Sequence, residues 1–212
     1  MLSHLKWVMS YVIPLQLLKD FRMILYCILN FVYSLGLYIP IDFLPDAMVK
    51  EHGITHLHAG NIITFFGMFG IIGRLLGGVI TNYMKNSALL LNCVCILAIC
   101  ISCIGMAFSV YYWQFVVCIS IYGIFVGMVP TLAPILLVDM FEVKCLKDSY
   151  GILMFVNGIS TLLGAPLAGW LKEIWGNYVY VFLITAGIFG VGGILALALL
   201  WENKKDKYAL RN

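Results

Sequence analysis

Asn61–Asn82 reads NIITFFGMFGIIGRLLGGVITN, an apolar, glycine-rich run that holds one charge, Arg74. A stretch of roughly 20 such residues crosses a hydrocarbon core of about 30 Å. A charge at mid-membrane costs about 2.5–3.5 kcal/mol on insertion scales, so it normally faces a bundle interior or a wet cavity and marks a functional candidate. At about 100° per residue, Gly60, Ile63, Gly67, Gly70, Gly77, Gly78 and Thr81 fall within about 60° of Arg74. The arginine therefore sits on a face stripped of bulk. Either another helix backbone packs close there, or something small and negative binds. Snorkelling is the competing reading. Arg74 lies roughly 12 Å before Asn82 along a helix, within reach of the interface for a long side chain.

Composition sets the class around this stretch. The chain is 63% hydrophobic and 11% charged, against about 25% charged in soluble domains. Mean hydropathy is +1.00. An all-α, polytopic membrane protein is expected, with six transmembrane helices over about 21–44, 60–81, 87–108, 113–138, 149–171 and 177–201. Residues 1–20 read as a cytoplasmic lead-in, 21–201 as the membrane domain and 202–212 as a basic cytoplasmic tail. Met1–Asp20 lacks a basic start, a clean apolar centre and a small-residue cleavage site, so the first span is expected to act as signal anchor.

Charge placement orients the spans. Lys6, Lys19, Arg22, Lys85, Lys144, Lys147, Lys204, Lys205, Lys207 and Arg211 fall on one side, and Lys50 and Lys172 on the other. This ten-to-two bias puts both termini in the cytoplasm. The net charge of +3 follows that sidedness and implies no nucleic acid. Tyr111, Tyr112, Trp113, Trp175, Tyr178 and Tyr180 read as an outer aromatic belt.

Several polar groups carry weaker signals. Cys93, Cys95, Cys100 and Cys103 mimic a metal pattern, but one straight helix cannot cage a tetrahedral ion, so they read as small apolar fillers. His52, His56 and His58 in an expected outer loop, 45–59, read as solvated side chains, with weak metal binding or pH sensing as the alternative. No cofactor is implied. Asn30, Ser34 and Tyr38 form one stripe on the first span, and Asn157 and Thr161 another on the fifth. They read either as cavity lining with Arg74 and Tyr122 or as interhelical hydrogen bonds. Asp139 and Lys144, with Glu142, Lys147 and Asp148 beside them, read as a cytoplasmic ion-pair gate or a solvated loop. No acid, histidine or serine constellation of an enzyme lies within the spans.

Some stretches resemble a known family. They are Leu17–Asp20 entering the first span, Tyr38–Asp46 closing it, Ile72-Gly73-Arg74, Pro134–Phe141 leading to Ser149-Tyr150-Gly151, and Gly164–Leu171. Together they resemble the carboxy-terminal six-helix half of a major facilitator superfamily transporter of the monocarboxylate transporter (SLC16) type. The resemblance implies transport of small monocarboxylates such as lactate, pyruvate or ketone bodies, often with a proton. Other members carry aromatic amino acids or thyroid hormone. It implies two six-helix halves rocking about a central site, a plasma-membrane location, and in some relatives a single-span ancillary glycoprotein. Arg74 matches the family's substrate-binding arginine, whose guanidinium can grip a carboxylate with two parallel hydrogen bonds.

The sequence departs from that pattern in three places. Proton-coupled members have an aspartate one turn before the arginine, where this chain has Gly70, so facilitated diffusion or a different substrate is favoured. The loop motif's acid, four after a glycine, is here Asn82 after Gly78. Six spans stand where a full member has about twelve, so the missing amino-terminal half or a homo-oligomer is expected to cover the inner face. An incomplete reading of a longer gene, a short isoform and a half-transporter all fit. A second function class is a non-transporting isoform that pairs with and regulates a full-length relative.

Overall fold

The computed structural model describes residues 20–83, 87–141 and 143–209; the side chains of 144, 165, 175 and 204–209 lie outside the description. Residues 1–19 of the lead-in, Lys85, Glu142 and the last three residues of the tail lie outside the described residues. The described chain is helical. It runs α1 (Phe21–Leu37), α2 (Ile39–Lys50), α3 (His56–Tyr83), α4 (Ala88–Ala107), α5 (Tyr112–Phe141), a short 3-10 turn (Val143–Cys145), α6 (Leu146–Trp175) and α7 (Tyr178–Ala209).

Six segments are long and apolar enough to cross a membrane: Phe21–Lys50, His56–Tyr83, Ala88–Ala107, Tyr112–Phe141, Leu146–Ile174 and Tyr178–Asn203. The first differs most from expectation. It continues past residue 44 to Lys50 and is broken at Tyr38. Pro40 causes the break. It has no N–H for the carbonyl four residues back, and it is tolerated because it falls in the first turn of α2. The Leu37 carbonyl, next to the break, accepts instead from the Tyr122 hydroxyl at 2.7 Å. Tyr122 is fully buried, and its hydroxyl joins α5 directly to α1.

The expected outer loop of 45–59 therefore shrinks to 51–55, and His56 and His58 become the first turn of α3. His52 packs on the Phe115 ring at 5.2 Å and His58 on Tyr112 at 5.1 Å. These contacts dock the start of α3 on α5.

Packing follows the small residues. α3 lies against α5, α4 between α5 and α7, and α1 between α6 and α7. The core holds Tyr26, Tyr33, Phe115, Tyr122, Phe182 and Phe189, with Phe189 edge-on to Tyr33 at 5.9 Å. Cys93, Cys95 and Cys103 are buried among these apolar side chains. Two helices remain open: 17% of the most apolar window of α3 and 24% of that of α6 are buried, against 39–56% for the other spans.

Both ends of the bundle are tied. Asp20 caps α1 by accepting from the Arg22 backbone N–H at 3.0 Å, and its carboxylate pairs with the Arg22 guanidinium at 3.0 Å. Burial works against its charge, but Arg22 outweighs that and holds the carboxyl below its ordinary pKa. Arg22 also lies 5.7 Å from the Phe141 ring centroid, joining α1 to α5.

At the opposite end, Asp46 Oδ2 accepts from Lys50 Nζ (2.8 Å), Lys172 Nζ (3.1 Å) and the Tyr178 hydroxyl (3.1 Å). Glu51 accepts from the Tyr178 backbone N–H at 2.8 Å. Tyr178 is buried in this cluster rather than in an aromatic belt, whereas Tyr111, Trp113 and Tyr180 are exposed. Gly176, at φ +62°, ends α6 in the left-handed conformation that glycine adopts without a Cβ penalty, which turns the chain back to Tyr178.

Candidate functional site

Arg74 is placed by glycine. Gly73 and Gly77 bury their side of α3 against α5. A Cβ on Gly73 would stand 2.8 Å from the Ile124 carbonyl carbon, and one on Gly127 would stand 3.0 Å from the Gly70 carbonyl carbon. A Cβ on Gly123 would lie 2.8 Å from the Phe66 carbonyl oxygen. Backbone thus meets backbone along Gly70, Gly73, Gly123 and Gly127, as small residues allow in membrane bundles. The next residue after Gly73 is turned out of that seam. It is Arg74, and it is exposed.

The small-residue face divides in two. Toward α5 the stripe is filled by another backbone. Away from α5 it is open: Gly60, Gly67 and Gly78 have nothing within 4 Å of where a Cβ would stand.

Beside Arg74 the opening forms a cavity of about 360 Å³. Its walls are Tyr33, Leu37, Tyr38 and Ile41 from the broken first span, Phe66, Gly67, Gly70 and Ile71 from α3, and Val126, Gly127 and Pro130 from α5. Toward the Tyr83 end, a shallower groove of about 800 Å³ runs past Gly78, Thr81 and Asn82 to Ile135. Arg74 lines both spaces.

Arg74 makes no hydrogen bond or ion pair with any described residue. The position one turn earlier is Gly70, which supplies no counter-charge. With no partner among the described residues, Arg74 presents a positive charge and five donors. The chemistry it suits is a carboxylate, which takes two parallel N–H···O bonds in the geometry of the guanidinium fork.

The remaining site candidates divide. Tyr38 joins Arg74: it lines the cavity from the helix break and is 45% exposed. Asn30 and Ser34 are buried away from the cavity. Ser34 Oγ donates to Asn157 Oδ1 at 3.0 Å, and Asn30 Nδ2 donates to the Tyr26 carbonyl of its own helix at 2.9 Å. Ser160 Oγ adds a further bond to the Phe31 carbonyl, and Gly164 lies close to the Leu35 carbonyl. This polar stripe joins α1 to α6. Tyr122 is likewise committed to Leu37. Asp139 is exposed near the end of α5. The Lys144 side chain lies outside the described residues.

Tyr33 and Phe66 were not among the sequence candidates. Phe66 stands about 80° from Arg74 around the helix, just outside the 60° window applied above. Tyr33 is a buried core residue that also lines the cavity. Its hydroxyl has no hydrogen-bond partner among the described residues.

Comparison with known proteins bears on this arrangement. The family profile described as Major Facilitator Superfamily matches residues 26–212. Monocarboxylate transporter 14 of Homo sapiens is 29% identical over 187 residues, covering 84% of this chain and 35% of that protein. Monocarboxylate transporter 4 of Gallus gallus is 27% identical over 190 residues, 85% of this chain and 38% of that protein. Monocarboxylate transporter 12 of Xenopus laevis is 23% identical over 135 residues, 63% and 29% respectively. The chain thus spans about a third of the length of the curated relatives it matches.

Proposed function

Because the chain belongs to the Major Facilitator Superfamily, we propose that it is the carboxy-terminal six-helix unit of a carrier for small organic anions, monocarboxylates first among them. The observation that carries this reading is Arg74: an arginine in a spanning helix with no partner among the described residues, lining two spaces. A carboxylate entering from either space reaches the same group, as alternating access about one fixed site requires. The names of the relatives support the same substrate class.

Transport in this reading is facilitative. A proton-coupled site needs an acceptor near the arginine, and Gly70 offers none. Tyr38, at the helix break, is the side chain placed to respond when the site fills. The unit sits in the plasma membrane with both termini cytoplasmic, which puts the Asp46–Lys172–Tyr178 cluster on the outer side. Asp139 and Lys144 then lie at the cytoplasmic end, where an ion-pair gate would act.

The test is uptake of a labelled monocarboxylate by cells expressing the full-length protein, normalised to surface abundance. Two charge-assisted hydrogen bonds contribute about 1.5–3 kcal/mol each. Arg74→Ala should therefore reduce uptake at least about a hundredfold. Uptake retained in that variant overturns the role given to Arg74.

The open faces of α3 and α6 favour a second reading, in which this unit pairs with a full-length relative and regulates it. Co-purification with a relative, and no uptake without it, distinguishes that reading.

A further inference from the structure

We propose that Asp46 is a latch: through Lys172 and Tyr178 it holds α2, the second half of the broken first span, against α6 and α7, and its release lets α2 swing about Tyr38.

The two ends of α2 are held in opposite ways. At Tyr38 the chain leaves α1 and starts α2, and the adjacent Leu37 carbonyl accepts from the hydroxyl of fully buried Tyr122 at 2.7 Å. Parting that pair would leave a buried donor unmet, which is costly. Asp46 stands roughly 12 Å further along the helix. There its Oδ2 meets Lys172 Nζ and the Tyr178 hydroxyl, each at 3.1 Å. These side chains reach water: 48% of the Asp46 side chain and 32% of that of Lys172 are exposed. Solvent competes for such pairs, so they open at little cost. Exposed Glu51, accepting from the Tyr178 N–H at 2.8 Å, adds a second catch of the same kind. The buried end is the pivot, and the exposed end moves.

The specific indication is that both charges keep a partner when the latch opens. Lys50 Nζ lies 2.8 Å from the same Asp46 oxygen and belongs to α2 itself, so it travels with the carboxylate. Lys172 Nζ lies 4.9 Å from the Tyr178 ring centroid, across the Gly176 turn that joins α6 to α7. That ring stays beneath the ammonium when α2 leaves. Neither charge is stranded, as it would be on breaking a buried pair. Leu44, Ala47 and Met48 hold α2 in the core, and His52 rests on Phe115 of α5 at 5.2 Å. The movement is therefore a swing away from α6 and α7, not a detachment. Ile41 of α2 lines the space beside Arg74, so the swing shifts that wall whatever binds there.

The test is hydrogen exchange of the full-length protein in lipid nanodiscs, read by mass spectrometry, for wild type, Asp46→Asn and Lys172→Met. Both variants should exchange the amides of 43–50 about three- to tenfold faster. The start of α3, 57–63, lies beside α2 but packs on α5, and should keep the wild-type rate. Raising sodium chloride from about 0.05 to about 1 M should speed exchange of 43–50 in the wild type and not in Asp46→Asn. Wild-type exchange of 43–50 in both variants overturns the latch. Equal acceleration of 43–50 and 57–63 also overturns it, because the cluster would then brace this whole end of the bundle.

Discussion

Gly73→Ala tests the seam on which the whole site rests. The new methyl would lie 2.8 Å from the Ile124 carbonyl carbon and 2.9 Å from its Cα. Carbon atoms pack best at about 3.5–4.0 Å, so α3 and α5 must part by about 0.7 Å or more. A gap of that size forfeits roughly a quarter to a half of the dispersion attraction between facing atoms. Overpacking typically costs about 1–3 kcal/mol, and the upper end applies because backbone cannot rotate away. Better helix propensity returns about 1 kcal/mol, leaving a net loss of about 2 kcal/mol. Gly78→Ala is the matched control on the same helix: it gains the same propensity and meets nothing within 4 Å. The assay is the temperature at which full-length protein in detergent loses its monodisperse peak. Gly73→Ala should lower that midpoint by about 4–8 °C, and Gly78→Ala should leave it unchanged or raise it. Equal midpoints for the two variants would refute the backbone-to-backbone contact.

Three further outcomes follow from the same geometry. Tyr122→Phe removes the only described donor to the Leu37 carbonyl beside the Tyr38 break; it should cost about 1–3 kcal/mol in the same assay, and no change would mean that the break is held by other contacts. Ser34→Ala cuts the bond to Asn157 and should cost about 1 kcal/mol of stability while leaving carboxylate affinity at the wild-type value, as binding titration would show; weakened affinity would move Ser34 into the site. Asp46→Asn should lower stability by only about 1 kcal/mol despite three donors, because its side chain is 48% exposed and solvent screens the pairs; a loss several times larger would make this cluster a main support of the fold.

How much of this was legible in the sequence varied with range. A lone arginine in a glycine-rich apolar run announces a spanning helix and marks a candidate site, because the cost of burying a charge is local chemistry. The stripe around Arg74 was also legible as a small-residue face. Its division into a backbone seam at Gly73 and an open floor at Gly67 was not, since that depends on where α5 crosses. Asn30, Ser34 and Asn157 carry polar signals that suit a cavity and an interhelical bond equally; only the meeting of α1 with α6 decides between them. The Asp46 cluster joins residues 126 and 132 apart in sequence, a separation at which no periodicity helps. Pro40 marked the helix break in principle, but Pro45 lies inside α2 without ending it, so proline alone would have misplaced the boundary.

The central claim is that Arg74 pairs with a carboxylate, and direct binding tests it without the further steps of transport. Membranes holding equal amounts of full-length wild type, Arg74→Gln and Arg74→Lys would be titrated with labelled lactate and labelled pyruvate. The account predicts saturable binding to the wild type, its loss in Arg74→Gln, and weakened binding in Arg74→Lys, where the charge remains but the two-pronged fork is gone. Wild-type affinity in Arg74→Gln would contradict it.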